Sequence, residues 1–79
     1  MDSNIVLDKT LDLRGFPCDV VMIRTKQTLK EMEPGSLLEV RSSDSCSEYE
    51  IPSFVKRTGN MIVSVTKEAD SIKFVIEKI

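Results

Sequence analysis

The hydrophobic period of the chain changes abruptly at Gly15-Phe16-Pro17-Cys18, and that switch restricts the folds open to it. Before the switch, residues Ile5 to Leu13 alternate, with Ile5, Leu7, Leu11 and Leu13 on one face and Val6, Asp8, Thr10 and Asp12 on the other. This pattern predicts a strand with one solvated face. After Cys18 the spacing becomes helical: Met22, Thr25, Leu29 and Met32 form one stripe, flanked by Val21 and Thr28, until Glu33-Pro34-Gly35 ends it. A strand thus passes through a short turn directly into a helix, with Cys18 at the junction.

The same alternation of patterns continues. Leu37 to Arg41 predicts a second strand with Leu38 and Val40 inward, and the polar run Ser42 to Glu48 follows as a loop. Ile51-Pro52 announces a second helix, because proline suits a first turn whose N–H groups have no partner. Ile51, Phe54, Val55 and Thr58 share its inner face, and Gly59 stands where a left-handed C-terminal cap belongs. Asn60 to Thr66 predicts a strand that groups Met61, Val63 and Val65. Glu68-Ala69-Asp70 turns the chain into a last strand, Ser71 to Lys78, with Ile72, Phe74 and Ile76 opposite Lys73, Val75 and Glu77. The expected order is βαβαββ, an α/β two-layer sandwich in which both helices cover one face of a four-stranded sheet.

With 79 residues, the chain is expected to form a single domain over residues 1–79. Its composition, 41% hydrophobic and 30% charged, is that of a folded domain, too small for a large enclosed active site. A formal charge of −2 and a pI near 5.0 argue against direct binding of nucleic acid, as do the three phenylalanines and one tyrosine. The longest apolar run is Val20 to Ile23 and the first residues are not basic, so no membrane insertion and a cytoplasmic location are expected. There is no histidine, and Cys18 and Cys46 have no close metal-ligating companion. Hydrolase triads, the common metal sites and a resident cofactor are therefore not expected.

Function, on these grounds, gathers at Cys18. A cysteine at a helix start faces unpaired backbone N–H groups and the positive end of the helix dipole, both of which favour the thiolate. The other reading is a buried, inert cysteine. If Cys18 is the N-cap, Asp19 adds a like charge about 5–6 Å away and raises its pKa by roughly half a unit. Val21 offers the N–H that an N-cap side chain accepts, which acts in the opposite direction.

The residues Leu11, Asp12, Gly15 and Cys18 resemble the LDxxGxxCPxP motif of the TusA/SirA family of small sulfur-carrier proteins. The resemblance continues through Thr25 to Leu29, Met32, Gly35, Leu38 to Val40, Asp44, Ile51 to Phe54 and Thr58-Gly59, and so covers nearly the whole chain from Lys9. It implies the strand order 1-2-4-3 with the last strand antiparallel to the rest, a fold shared with the C-terminal domain of a bacterial translation initiation factor. It also implies that Cys18, presented by Gly15, Phe16 and Pro17, accepts sulfane sulfur as a persulfide. The implied donor is a cysteine desulfurase or a rhodanese, and the sulfur passes to an acceptor protein in a relay such as the one that thiolates tRNA. Such exchange needs an activated thiol and a docking partner but no metal or cofactor. The chain departs from the family at CPxP, which stands here as Cys18-Asp19-Val20-Val21, and this departure motivates the alternative of a non-catalytic interaction module with the same fold.

Two further expectations concern the surroundings of Cys18. Helical phase places Val20 and Ile23 on the outer face beside Arg24, Gln27 and Lys30, a candidate partner-docking surface. Cys18 lies five residues beyond Leu13 and Cys46 five beyond Arg41, so both belong to loops leaving the same edge of the sheet. If the Ser42 to Ser47 loop folds toward the helix start, Cys46 is in place to act as a resolving thiol.

Overall fold

The computed structural model describes residues 7–79. The elements are β1 (Lys9–Asp12), α1 (Cys18–Glu31), β2 (Leu37–Ser42), α2 (Ser47–Arg57), β3 (Met61–Lys67) and β4 (Ile72–Glu77). The sheet order is β1-β2-β4-β3, with β1 parallel to β2 and β4 antiparallel to both β2 and β3. This is the βαβαββ sandwich expected from the pattern, including the strand order implied by the resemblance.

Register explains the core. Leu38 faces Ile76 and Val40 faces Phe74 across β2 and β4, and all four are fully buried. Residues directly opposite in a ladder share a face, so these four form the apolar floor on which the helices lie. Val21 and Leu29 of α1 and Ile51, Phe54 and Val55 of α2 close over it. Each such side chain removed from water contributes roughly 1.5–3 kcal/mol.

Several local readings are corrected. β1 is shorter than expected: Leu7 is exposed, and Ile5 and Val6 lie outside the described residues. On α1 the buried line runs through Val21, Thr25 and Leu29, whereas Met22, expected in the stripe, is half-buried at its flank. The line is drawn by i, i+4 spacing measured from Val21 rather than Met22. Helix α2 begins at Ser47, inside the run expected to be a loop, and Pro52 sits within it. The Ser-Asp-Ser stretch starts that helix because its first turns close through Ser47 N–H to Asp44 O and Glu48 N–H to Ser45 O, which apolar spacing does not reveal. Thr58 is exposed and forms the C-cap of α2.

The end of α2 follows expectation. Gly59 has φ +84°, and Gly59 N–H to Lys56 O together with Asn60 N–H to Val55 O make the paired bonds of a Schellman cap. In β3 the grouping of Met61, Val63 and Val65 fails, because the register slips between Ile62 and Ser64. Ile62 pairs with Ile76 and Val65 with Phe74 on the helix side, while Met61 pairs with Glu77 on the opposite face. An extra residue in one strand reverses the alternation beyond it, and Met61, Val63 and Val65 all remain exposed on this edge strand.

Candidate functional site

Parallel pairing sends β1 and β2 out of the sheet at the same edge, and the loops that follow are tied together. Gly15, whose φ of +90° lies in the region glycine favours, donates its N–H to Ser43 Oγ at 2.8 Å. Asp44 then joins the two cysteines: Cys18 N–H donates to its Oδ2 at 3.0 Å and Cys46 N–H to its Oδ1 at 2.9 Å. The loop that carries Asp44 is backed by the fully buried hydroxyls of Ser42 and Ser47, 2.7 Å apart, with Ser47 Oγ also donating to Asp44 O. One carboxylate on a fixed loop therefore holds both thiol-bearing residues.

Cys18 is the first residue of α1, and the N-cap position belongs to Pro17 in an extended conformation. This corrects the expectation that Cys18 caps the helix, and it changes the electrostatics. Val21 N–H donates to Pro17 O at 3.1 Å, Val20 N–H to Asp19 Oδ1 at 2.9 Å, and Cys18 N–H to Asp44. Three of the donors that would stabilise a thiolate thus have oxygen partners already. Burial of the sulfur, the neighbouring Cys46 side chain, and the negative charges of Asp44 and Glu50 push the Cys18 pKa up to about 12. The acids that act on it come from the second loop and α2, in place of the neighbouring Asp19. Cys18 is half-buried and Cys46 exposed, and both are free thiols.

The turn Gly15-Phe16-Pro17 leads into Cys18 and Asp19 at the start of α1, and the Asp44 carboxylate links Cys18 to Cys46. Val21 is fully buried in the core, so its part is to pack the start of α1. Of the docking candidates, Ile23 is 54% exposed and Arg24 and Gln27 are exposed, whereas Val20, expected to be exposed, is half-buried. Lys30 lies about 18 Å along the helix axis from Cys18 at 1.5 Å per residue. It lines a hollow with Lys26, Phe54 and Lys78, remote from the thiols. Sequence reasoning placed Asp44 in the family resemblance without a role, and it missed Ser43 and Glu50. The available signal was the Ser45-x-x-Glu48 pattern, a capping-box spacing that marks a helix start beside Cys46. Among the described residues no helix is long and apolar enough to cross a membrane, and no group of three or more acidic or cysteine side chains is placed to hold a metal ion.

Comparison with known proteins gives the same picture. A crystal structure of a SirA-like protein from Desulfitobacterium hafniense superposes with a TM-score of 0.78, covering 87% of this chain and 95% of that one, at 24% identity, which establishes the fold. YrkI, a proposed sulfur carrier protein of Bacillus subtilis, is 35% identical over 71 residues, 90% of this chain and 95% of its own length. The sulfur carrier protein TusA of Allochromatium vinosum is 34% identical over 71 residues, 90% of this chain and 93% of its own. The family model described as Sulfurtransferase TusA matches residues 9–78. A match over so much of the chain, around a cysteine at the start of α1, is decisive: the chain belongs to the TusA sulfurtransferase family.

Proposed function

We propose that this protein is a sulfur carrier whose working atom is the Cys18 sulfur. In the exchange, the Cys18 thiolate attacks the outer sulfur of a donor persulfide, the donor's S–S bond breaks, and the donor cysteine leaves as a thiolate. No net oxidation occurs and no cofactor is needed. The observation that supports this most is the placement of Cys18: half-buried at the head of α1, on the sheet edge where two bound loops meet, and flanked by exposed Phe16. The relatives' names favour the same reading. A cysteine desulfurase or rhodanese is the donor in this reading, a second protein's cysteine is the acceptor, and a tRNA-thiolating relay in the cytoplasm is one such route. Phe16, Ile23 and the half-buried Val20, with Arg24 and Gln27 beside them, form the docking face.

Incubation with a cysteine desulfurase and cysteine, followed by intact-protein mass spectrometry, tests this reading. The wild-type chain should gain one sulfur atom and Cys18→Ser none. Because the Cys18 pKa lies far above neutrality, loading by small persulfides should accelerate as pH rises from neutral. The raised pKa also favours a second reading, a docking module that has lost transfer, and failure of the chain to load from any persulfide donor would establish it.

A further inference from the structure

We propose that Cys46 is a resolving thiol, whose thiolate attacks the Sγ of a Cys18 persulfide, forms an intramolecular disulfide and expels the carried sulfur as hydrosulfide. The inference rests on the carrier reading of Cys18 and adds to it a route of discharge that needs no acceptor protein.

Two observations carry it. The Asp44 carboxylate accepts the backbone N–H of both cysteines, at 3.0 and 2.9 Å, so the residues are held side by side by a loop anchored on buried Ser42 and Ser47. The Cys46 side chain is also a near neighbour of the Cys18 thiol and acts on its pKa. Each cysteine stands at the start of a helix, Cys18 as the first residue of α1 and Cys46 as the N-cap of α2. A disulfide takes a Cα spacing of about 4.4–6.8 Å, which is within reach of two residues whose N–H groups share one carboxylate.

The sulfur chemistry selects the inner atom. Attack on the outer sulfur would have to expel the Cys18 thiolate, a strong base whose pKa is pushed up to about 12. Attack on Sγ expels hydrosulfide, a much weaker base and therefore the better leaving group. The Sγ–Sγ bond forms as the bond between Cys18 Sγ and the outer sulfur breaks. The electron pair of the broken bond and the persulfide's own proton depart with that sulfur, which is reduced to sulfide while the two cysteines become a disulfide. The balance closes without an external oxidant, and a dithiol reductant returns the protein to its starting state. Cys46 is exposed, so both the departing hydrosulfide and the reductant have access.

The experiment loads the full chain with a cysteine desulfurase and cysteine, removes small molecules, and follows sulfide release and intact mass without added thiol. Wild type should release its sulfur as sulfide and end two hydrogens lighter than the reduced chain, with no thiol open to alkylation. Cys46→Ser and Cys46→Ala should keep the added sulfur, releasing it at least about tenfold more slowly. Serine suits an N-cap position, and circular dichroism checks that both variants fold. Equal release rates in wild type and variants, or a discharged wild type with two alkylatable thiols, would overturn the inference and leave the carrier reading standing. No sulfur uptake by wild type or either variant would overturn both.

Discussion

Replacing Asp44 should make the protein less stable and, at the same time, make Cys18 more acidic. Its carboxylate accepts two backbone N–H groups, from Cys18 and Cys46, and hydrogen bonds to a charged partner contribute roughly 1.5–3 kcal/mol each. Asp44 is partly exposed, so the lower end applies, and Asp44→Ala should cost about 2–3 kcal/mol. In a domain of this size that corresponds to a fall in Tm on the order of 10–20 °C. Asp44→Asn keeps one acceptor oxygen and should lose about half as much. The same carboxylate is one of the negative charges that raise the Cys18 pKa. Removing a like charge at short range lowers a pKa by roughly half to one unit, and the freed Cys18 N–H acts in the same direction. Thermal denaturation reads the first effect, and ultraviolet thiolate absorbance against pH, in a Cys46→Ser background with one remaining thiol, reads the second. An Asp44→Asn protein whose Cys18 pKa is unchanged or higher would refute the electrostatic argument, whatever its stability.

Cys46→Ser alone should lower the Cys18 pKa by removing a neighbouring side chain that raises it. A drop of one unit gives tenfold more thiolate but a less nucleophilic one, so alkylation of Cys18 at neutral pH should quicken by about threefold, and no change would contradict the assignment. Val20→Ser with Ile23→Ser should leave the fold intact and slow sulfur loading from a productive protein donor several-fold; unchanged loading would show that the donor docks elsewhere. Asp12, gripped by Arg14 Nε at 2.8 Å and Nη2 at 2.7 Å, has its pKa lowered from 3.8 to about 2. The folded value lies below the ordinary one, so what this pair contributes is present above pH 3.8 and lost as pH falls toward 2. Carboxyl NMR titration should find the low midpoint, with Arg14→Ala restoring it.

The switch of hydrophobic period at Gly15 to Cys18 was enough to find the βα unit and its thiol, because backbone geometry writes periods of two and 3.6 directly into apolar spacing. The same reasoning located Gly59, where a positive φ is required. It failed where structure depends on polar atoms. The start of α2 is built by Asp44, Ser45 and Cys46 carbonyls and by the Asp44 side chain, none of which leaves an apolar period. The slip in β3 is similar in kind, since nothing in Met61-Ile62-Val63-Ser64 shows which residue the partner strand will skip. Asp44 itself was visible as a residue, but its role arises from a loop brought across from β2, which a single sequence does not display.

The loss of the motif prolines acquires a physical meaning at this site. A proline at position 21 would remove the N–H that here donates to Pro17 O, so Val21 lets the first turn of α1 close on its own backbone while its side chain enters the core. Asp19 fills the neighbouring gap by accepting from Val20 N–H, and Asp44 accepts from Cys18 N–H. Carboxylate oxygens are stronger acceptors than sulfur, so the helix start that a reactive cysteine normally exploits is occupied by oxygen. The dipole remains, but the thiol meets it beside Asp44, Glu50 and Cys46, and the sum of these favours the neutral form. A protonated Cys18 does not attack adventitious disulfides, and in the carrier reading a poor Cys18 leaving group disfavours attack on the outer sulfur of its persulfide. The field that holds it is set by exposed or half-buried groups, which a docking protein can reach. A partner presenting cations to Asp44 and Glu50 would lower the Cys18 pKa on contact, whereas an apolar partner surface would desolvate the sulfur and raise it further. In the carrier reading, charge on the partner would therefore set when this thiol becomes a nucleophile.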